Sequence, residues 1–486
     1  MTPEIPADFS DRMPPVLVKE LRQGMRQKTF IILFVGLQVF LAVMLLSATS
    51  GSNSNNAGDI ISSVIFTFFA IAMLVVQPLR GINALAGEIK DNTIEMMVLT
   101  RLSAWRIVLG KWVSIISQSA LLMVTIIPYL ILRYFFGGMN LVAEVMLLIL
   151  MFATSMALTA VTIGLSGSSS VIVRGLLPIL GLPIASYSLL MMMVMGRFGG
   201  GGRSPFDALA LATPESRIGV VVYLLAIAYL GGSMLSLGAS AIAPPAENHA
   251  FLRRTFALLL LLAVLISAPF GLIDEGLHVA LVYLVAVPAM IIAFVESSPY
   301  VAAVREPFAR FGPPGKLASH LFIPTWPSGA FFGILVFFLS LGAIFLYGWR
   351  NNFVGSNFDD DDAVVILSTL GSLLFPAAWQ AVFFKRDGQR LGTYILLLVG
   401  SWIACGVLTG LSQSMDSSAF LMLFVWHPLS YLAMLDEFRG DESMLVAGLG
   451  FTNLLLIGLI FFRAVRDHGK TLRDDQENQA GIASAA

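Results

Sequence analysis

The sequence predicts an all-α integral membrane protein with about twelve transmembrane helices, and three observations lead to that class. Hydrophobic residues make up 57% of the chain and charged residues only 12%, whereas soluble domains carry about 25% charged residues. The mean hydropathy is +0.84. Long apolar runs alternate with short polar segments along the chain, as expected when a chain crosses a bilayer repeatedly.

Each crossing needs roughly 20 apolar residues, because the hydrocarbon core is about 30 Å thick. An even number of crossings places both termini on one side of the membrane. All but six of the 29 Lys and Arg residues fall on that side, so the positive-inside rule predicts cytoplasmic N- and C-termini. The runs that meet the length criterion lie at about 29–48, 60–78, 112–132, 141–165, 172–196, 218–240, 255–272, 278–295, 329–347, 363–384, 391–411 and 444–462.

Residues 419–435 form one apolar segment outside this scheme. They are hydrophobic enough for a thirteenth span, but His427 and Pro428 interrupt them. A thirteenth crossing would also place the basic residues of 463–473 outside, against the positive-inside rule. We therefore expect a helix or re-entrant hairpin that dips in from the outer face, where protein must satisfy its backbone groups.

The order of spans and loops predicts two pseudo-repeats of six helices. In each half, two spans precede a cytoplasmic loop of similar length, 79–111 and 296–328. The outer segment that starts at Pro205 can be aligned with the one that starts at Pro428. A tandem repeat of parallel topology accounts for both matches, although any helix bundle offers some likeness of this kind. The predicted domains are an N-terminal tail with an elbow helix (1–28), a first six-helix domain (29–245), a second one (246–465) and a cytoplasmic tail (466–486).

The loop from Glu88 to Lys111 concentrates charge between two long apolar runs. Asn92 and Glu95 have the spacing of a capping box, so a helix is expected to start there. A second helix is expected to start at Ser103 and to enter the bilayer. Short amphipathic helices between spans suit a docking surface for a cytoplasmic protein. An interfacial helix without a partner is the alternative.

The same loop resembles that of ABC type-2 exporter permeases. The resemblance rests on the register Glu88, Thr93, Glu95, Thr100, Ser103, Ile107, Gly110 and Lys111. The segment Pro15–Lys28 is similar to the basic elbow helix of that family. Asn92 stands where the family usually has Gly, and Arg101 where it usually has Pro. The second loop, 296–328, lacks the Thr-x-Glu pattern, so the resemblance does not extend to it.

The resemblance implies a permease subunit that exports an unidentified substrate with energy from a separate ABC ATPase on the cytoplasmic face. ATP and Mg²⁺ would be bound by that partner and not by this chain. Its location would be a bacterial cytoplasmic membrane, and the permease would act alone, as a homodimer or with a second permease. The implied ATPase-coupling residues are Lys19, Glu20, Arg22, Glu88, Thr93, Glu95, Ser103, Arg106 and Lys111. An outer gate is expected at Pro205, Phe206, His427 and Pro428.

Several functions lack their sequence signals. The chain contains no phosphate-binding loop and no H-E-x-x-H motif, which argues against its being an enzyme. Its formal net charge of −1 gives no reason to expect nucleic acid. The lone Cys405 lies in an apolar run and rules out a disulfide framework. No metal or cofactor site is expected in this chain.

Ion coupling needs titratable groups along the transport path. Among the charged residues and histidines, only Glu144, Arg174 and His278 fall within the predicted spans, near span ends, where we expect them to reach water. An ion-driven secondary transporter is therefore less favoured but stays open, because broken helices can bind sodium through carbonyl groups. A structural membrane subunit that transports nothing is the third possibility.

Overall fold

The chain folds into two compact units in a computed structural model, and it is helical throughout the described residues, with no strand. One unit comprises Met1–Ala243 and the other Pro244–Ala486. This boundary lies close to the 245/246 division expected from the sequence. The structure describes residues 15–50, 65–90, 103–134, 141–184, 186, 211, 213–270, 275–296, 298–299, 301–354, 360–384, 391–415, 419–435 and 442–485.

Unit 1 opens with an amphipathic helix and continues with long apolar ones. A π-helical stretch, Ile71–Val76, interrupts its third helix. Its described helices are α1 (Pro15–Met25), α2 (Lys28–Ser50), α3 (Ile65–Leu79), α4 (Ala86–Lys90), α5 (Ala104–Tyr134), α6 (Leu141–Ser166), α7 (Ile172–Ile184) and α8 (Pro214–Ile242).

Unit 2 has longer helices and a helical hairpin between its second and third apolar helices. A short 3₁₀ turn, Ala268–Phe270, extends its first helix. The described helices are α9 (Ala250–Ser267), α10 (Glu275–Val295), α11 (Ala302–Ala309), α12 (Gly312–Phe322), α13 (Trp326–Val354), α14 (Asp360–Phe383), α15 (Leu391–Met415), α16 (Ala419–Met422), α17 (Ser430–Met434) and α18 (Glu442–Ala485).

Nine helices of the described part of the chain are long and apolar enough to cross a membrane. They are α5, α6, α8, α9, α10, α13, α14, α15 and α18, and each coincides with a predicted span. The bent pair α1 and α2 passes the same test together and would raise the number to ten. The other two predicted spans, 60–78 and 172–196, coincide with the shorter apolar helices α3 and α7 and extend beyond the described residues. The fold is therefore that of an all-α, multi-pass membrane protein.

The two units share an order of helix packing. In unit 1, α2 packs on α5, α3 on α6, α6 on α7, and α8 on both α5 and α6. In unit 2, the helices at the same places in the chain form the same five pairs: α9 on α13, α10 on α14, α14 on α15, and α18 on both α13 and α14. A glycine lets α6 approach α8 closely in unit 1, and another lets α14 approach α18 closely in unit 2. A Cβ on Gly164 would meet the Met234 carbonyl, and one on Gly371 would meet the Asn453 side chain.

The segment 419–435 is not a continuous helix. Turn residues separate α16 from α17, which confirms the break predicted at His427 and Pro428. Its two ends pack near the start of α14, where Leu421 and Tyr431 share a core with Val364.

The middle of this segment reaches deeper into unit 2. The His427 ring meets the Phe375 ring edge-on, with the centroids 4.6 Å apart. Phe375 lies about 20 Å along α14 from its first residue, at 1.5 Å per residue. The segment therefore begins and ends near the first residues of α14 and turns close to Phe375.

The expectation that Glu144 and His278 reach water is wrong. Both residues are only 1% exposed, although each lies in the first turn of its helix. The His278 ring stacks on Tyr347 with the centroids 4.5 Å apart, and its Nε2 lies 3.2 Å from the Ala343 carbonyl oxygen. Neighbouring helices cover these span ends, which the position of a residue within an apolar run does not reveal. Arg174 remains half-buried.

Candidate cytoplasmic docking site

The elbow predicted from the basic N-terminal segment is a separate helix. Its axis bends by 56° from the following apolar helix, at the break between Met25 and Lys28. Lys19 and Arg22 lie at helical spacing on an exposed face of α1, and Arg26, just after the helix, is also exposed. The opposite face packs on α5. This helix therefore lies outside the line of α2, with its basic side chains accessible.

Lys111 joins three segments that are far apart in the sequence. Its Nζ lies 2.7 Å from Glu88 Oε1 in α4 and 3.4 Å from Glu20 Oε1 in the elbow. The lysine side chain is 12% exposed and the two glutamates are 18% and 19% exposed. The resemblance implied ATPase contacts for all three residues, and the structure pairs them with one another. This ion cluster fastens the elbow and the start of the loop to α5.

Arg80 makes a second connection among the same segments. It lies just after α3, and its guanidinium donates to Gln77 Oε1 (3.0 Å), to Gln27 Oε1 (2.5 Å) and to Gln118 Oε1. It also reaches the Gly24 carbonyl oxygen at 3.5 Å. Burial lowers the pKa of Arg80 to about 10, which leaves it charged at neutral pH. A cation surrounded by neutral amide oxygens holds its position without a carboxylate.

A glycine lets the elbow approach α5 closely. A Cβ on Gly24 would meet the side chains of Gln118 and Ser114. Ser114 Oγ donates to the Glu20 carbonyl oxygen at 2.9 Å, so the contact is polar as well as close. The elbow is therefore held along its length by Lys111, Ser114 and Arg80.

The start of α5 is anchored in the core of unit 1. Ile107 and Val108 are 2% and 0% exposed and pack with Leu85. The Ser103 carbonyl accepts from the N–H groups of Arg106 and Ile107, which confirms the helix start expected there. Arg106 itself is exposed. The described apolar residues at the end of the loop thus fix α5, while Arg106 is exposed and Lys111 faces the elbow.

An open groove of about 720 Å³ runs along the exposed side of the elbow. Three of the side chains that line it are basic, and two are amides. Among the implied coupling residues, Lys19 and Arg22 lie in this groove, whereas Thr93 and Glu95 lie outside the described residues. The lining residues are Val18, Lys19, Arg22, Gln23, Arg26 and Gln27.

Unit 2 places a helical hairpin where unit 1 has its loop. The two helices, α11 and α12, pack against each other. A Cβ on Gly315 would meet the Phe308 carbonyl oxygen, so only glycine fits this crossing. Phe311 and Leu317 are 75% and 70% exposed on the hairpin.

Buried charges hold this hairpin to the membrane helices. Glu296 accepts from Arg253 Nη2 at 2.9 Å and from Arg254 Nη2 at 2.6 Å, and all three side chains are 8% exposed or less. Burial alone would raise the pKa of Glu296, but Arg253 and Arg254 lower it, so the carboxylate stays ionised.

Arg254 also closes the C-terminal end of α12. Its Nη1 donates to the carbonyl oxygens of Leu321 (2.6 Å) and Ile323 (3.1 Å) and to Ser328 Oγ (3.0 Å). Carbonyl groups at a helix C-terminus carry partial negative charge, which compensates the second buried guanidinium. Arg254 therefore joins α9, the hairpin and the start of α13.

The expected outer gate is described only in its second half. His427 and Pro428 are buried, with His427 0% exposed, while Pro205 and Phe206 lie outside the described residues. His427 Nδ1 accepts the N–H of Leu429 at 3.2 Å, which leaves the ring proton of the neutral form on Nε2. The histidine thus shapes the turn of the re-entrant segment.

Sequence reasoning missed Arg80 and the cluster of Arg253, Arg254 and Glu296. Each lies within two residues of the end of a predicted span, where an anchoring role toward lipid headgroups is the usual expectation. The adjacent pair Arg253–Arg254, followed by a single acid after the next span, was the available signal. In the described residues, no group of three or more His, Cys, Asp and Glu side chains could hold a metal ion.

Comparisons with protein-family models, with curated proteins and with solved structures find no match to this chain.

Proposed function

We propose that this chain is the permease subunit of an ATP-driven exporter in a bacterial cytoplasmic membrane. A separate ABC ATPase subunit would bind ATP and Mg²⁺ and dock on the elbow and on the 79–111 loop. The substrate passes through the helices of this chain, which does no chemistry of its own. Both termini would lie in the cytoplasm.

The observation that carries the proposal is the attachment of the elbow and the loop to a single membrane helix. Lys111 contacts Glu20 and Glu88, and Arg80 contacts Gln27 and Gln118. A headgroup anchor has no need of such connections. A surface that receives force from another protein needs these connections, because they transmit the force to the membrane helices.

The common packing order of the two units supports a tandem repeat of six helices. Each unit has a cytoplasmic element between its second and third apolar helices, and ion pairs fasten each element to the helices beside it. A repeat of this kind would let one chain supply the whole membrane part of the exporter. Without it, a homodimer or a second permease would be needed.

In the proposed mechanism, ATP binding closes the partner ATPases and displaces the elbow and the loop together. The displacement tilts α5 and the helices packed on it, and a path opens toward the outer face. The re-entrant segment 419–435 would close that path at rest. His427 and Pro428 would hold its turn in place.

Two buried groups keep an ion-driven secondary transporter as the second candidate. Glu144 and His278 are each 1% exposed, and buried titratable groups in membrane helices are the usual means of coupling to protons. Both lie in the first turns of their helices, whereas coupling sites are usually found near the midplane of the membrane. The exporter is therefore preferred.

The test is to purify the tagged chain from its native membrane in a mild detergent. Mass spectrometry would then search for a subunit that has a phosphate-binding loop. We expect such a subunit to be recovered, and we expect Lys19→Glu with Arg26→Glu to lower its recovery roughly tenfold, since charges at an interface rim steer association. Charge reversal at the exposed Arg217, on the predicted outer face, is the matched control and should change nothing.

The possible outcomes distinguish the three candidate functions. An ATPase whose turnover rises when it is bound to this chain in lipid nanodiscs supports the permease, whereas binding without stimulation supports the structural subunit. Recovery of this chain alone, under conditions that preserve a known membrane complex, would overturn the proposal and favour the secondary transporter.

A further inference from the structure

Two histidines meet on the side of unit 2 that holds the hairpin. His320 lies in the last turns of α12 and His468 lies in α18, 148 positions later in the sequence. Their rings pack edge to face with the centroids 4.6 Å apart and the planes at 67°. Phe331 of α13 borders the pair, with its centroid 6.5 Å from that of His468. Both histidines are half-buried.

A permanent positive charge stands beside this pair. Arg305 of α11 repels the protonated form of both rings, and His320 opposes protonation of His468. Burial lowers the pKa of His320 below its ordinary value of 6.5, and Arg305 lowers it further. The contact between hairpin and α18 is therefore made by two neutral rings.

Three carboxylates with described side chains on the surrounding elements have basic partners. Asp467 of α18 accepts from Arg463 Nε at 3.0 Å, and Glu306 of α11 pairs with Arg310 at 2.8 Å. Glu296 is engaged by the two arginines of α9. Of the other charged groups on these elements, Lys316, Arg466 and Lys470 are basic and exposed. The acidic Glu442, Asp474, Asp475 and Glu477 of α18 lie at least six positions from His468 in the sequence.

We propose that His320 and His468 form a proton-sensitive latch that holds the α11–α12 hairpin against α18. When the rings are neutral, they pack on each other and the latch is closed. When protons bind, two imidazolium rings face each other with their centroids 4.6 Å apart. Their mutual repulsion, together with that of Arg305, separates the hairpin from α18. The proposal concerns the conformation of unit 2 and does not depend on the proposed function.

The direction of the pH effect follows from linkage. The closed latch binds fewer protons than the open one, because its histidines have lowered affinity for them. Closure is therefore fully favoured above pH 6.5, and it weakens as the pH falls through the closed-state pKa of His320. In that window, the ratio of open to closed latches should rise about tenfold per pH unit for each proton bound.

The experiment measures the distance between spin labels on Leu317 and Lys470, which are both exposed. The single native cysteine, Cys405, is buried and would be replaced by alanine before the two label sites are introduced. Double electron–electron resonance in nanodiscs would follow the distance from pH 8 to pH 5. We expect one distance at pH 8 and a longer or broader distribution below about pH 6.

Matched variants assign the change to the latch. His320→Phe combined with His468→Phe keeps aromatic contact and should hold the pH 8 distance throughout. Arg305→Gln removes one repulsive charge, so the transition should move to lower pH and need more acid. His249→Phe, which removes the imidazole bound to Glu247, should leave the transition in place.

A second label pair on Arg310 and Leu317, within the hairpin, tests for acid unfolding and should keep its distance. An unchanged Leu317–Lys470 distance down to pH 5 would overturn the latch. So would a transition that persists in the double Phe variant. If the double Phe variant does not fold, Arg305→Gln is the deciding variant. A transition that stays at the same pH in Arg305→Gln would contradict the latch.

Discussion

The two ion-pair anchors, one in each unit, differ in how they compensate charge. Around Lys111 in unit 1, the ionised side chains are 12% to 19% exposed, and the nearby Arg80 relies on amide oxygens. Around Arg254 in unit 2, the ionised side chains are 2% to 8% exposed, and backbone carbonyls complete the shell. Water and salt reach the first anchor and not the second.

This difference indicates different mechanical roles. A partly hydrated ion pair costs little to break and re-form, because water replaces the lost partner. A buried ion pair costs much more free energy to break, because a charge then stays buried without a partner. We therefore expect unit 1 to hold its loop adjustably. We expect unit 2 to hold its hairpin rigidly against α9 and α13, whereas the histidine contact with α18 can open. If both units receive force, unit 1 is the one that can change shape at its anchor.

The largest expected effect is that of Arg254→Met. It leaves Glu296 with one partner and uncovers the carbonyls of Leu321 and Ile323, so unfolding should become easier by about 3–5 kcal/mol. Thermal unfolding of the detergent-solubilised protein would measure the loss. Arg310→Met, which removes the exposed pair with Glu306, should cost only about 0.3–0.5 kcal/mol. Equal losses in the two variants would show that the buried cluster is not a special anchor.

A smaller effect is expected for Lys111→Met. The variant deprives Glu20 and Glu88 of a shared partner, and we expect a loss of about 1–3 kcal/mol, reduced by their partial hydration. Amide hydrogen exchange in α1 and α4 should become faster while exchange in α12 stays unchanged. Arg106→Met, on the same helix but exposed, is the control. High salt should mimic Lys111→Met in unit 1 and leave unit 2 unaffected, and a salt effect on both units would remove the contrast.

The smallest expected effect belongs to the contact between the elbow and α5. In Gly24→Ala, the new Cβ displaces the Gln118 amide from Arg80, and we expect a cost of about 1 kcal/mol. Gly36→Ala places a Cβ in open space, and it should stabilise α2 by about 0.5–1 kcal/mol. The difference in melting temperature between the two variants measures how closely the elbow must approach. No difference would mean that the elbow packs loosely.

The sequence predicts the long helices well because hydrophobicity alone specifies them. In the part of the chain that the structure describes, each of the nine helices that can span a membrane coincides with a predicted run. Ser103 marks a helix start because its position signals a cap. The interruption at His427 and Pro428 was predictable for a similar reason, since proline cannot continue a helix. These features depend on neighbouring residues only.

The ion clusters could not be predicted in the same way. The Arg254 guanidinium finds Glu296 and Leu321 at separations of 42 and 67 residues, and nothing local selects those partners. Lys111 was expected at an interface, and its pairing with Glu20 depends on the direction in which the elbow turns after Met25. Burial of Glu144 and His278 likewise depends on which helices surround them.

The length of α18 has a mechanical consequence. Its 44 residues extend about 66 Å, roughly twice the thickness of the hydrocarbon core. About half of this rod therefore projects beyond the bilayer, and a tilt of about 10° at the membrane surface would swing its far end through about 6 Å. A small tilt of the membrane part of α18 would therefore become a larger displacement at the other end of the helix.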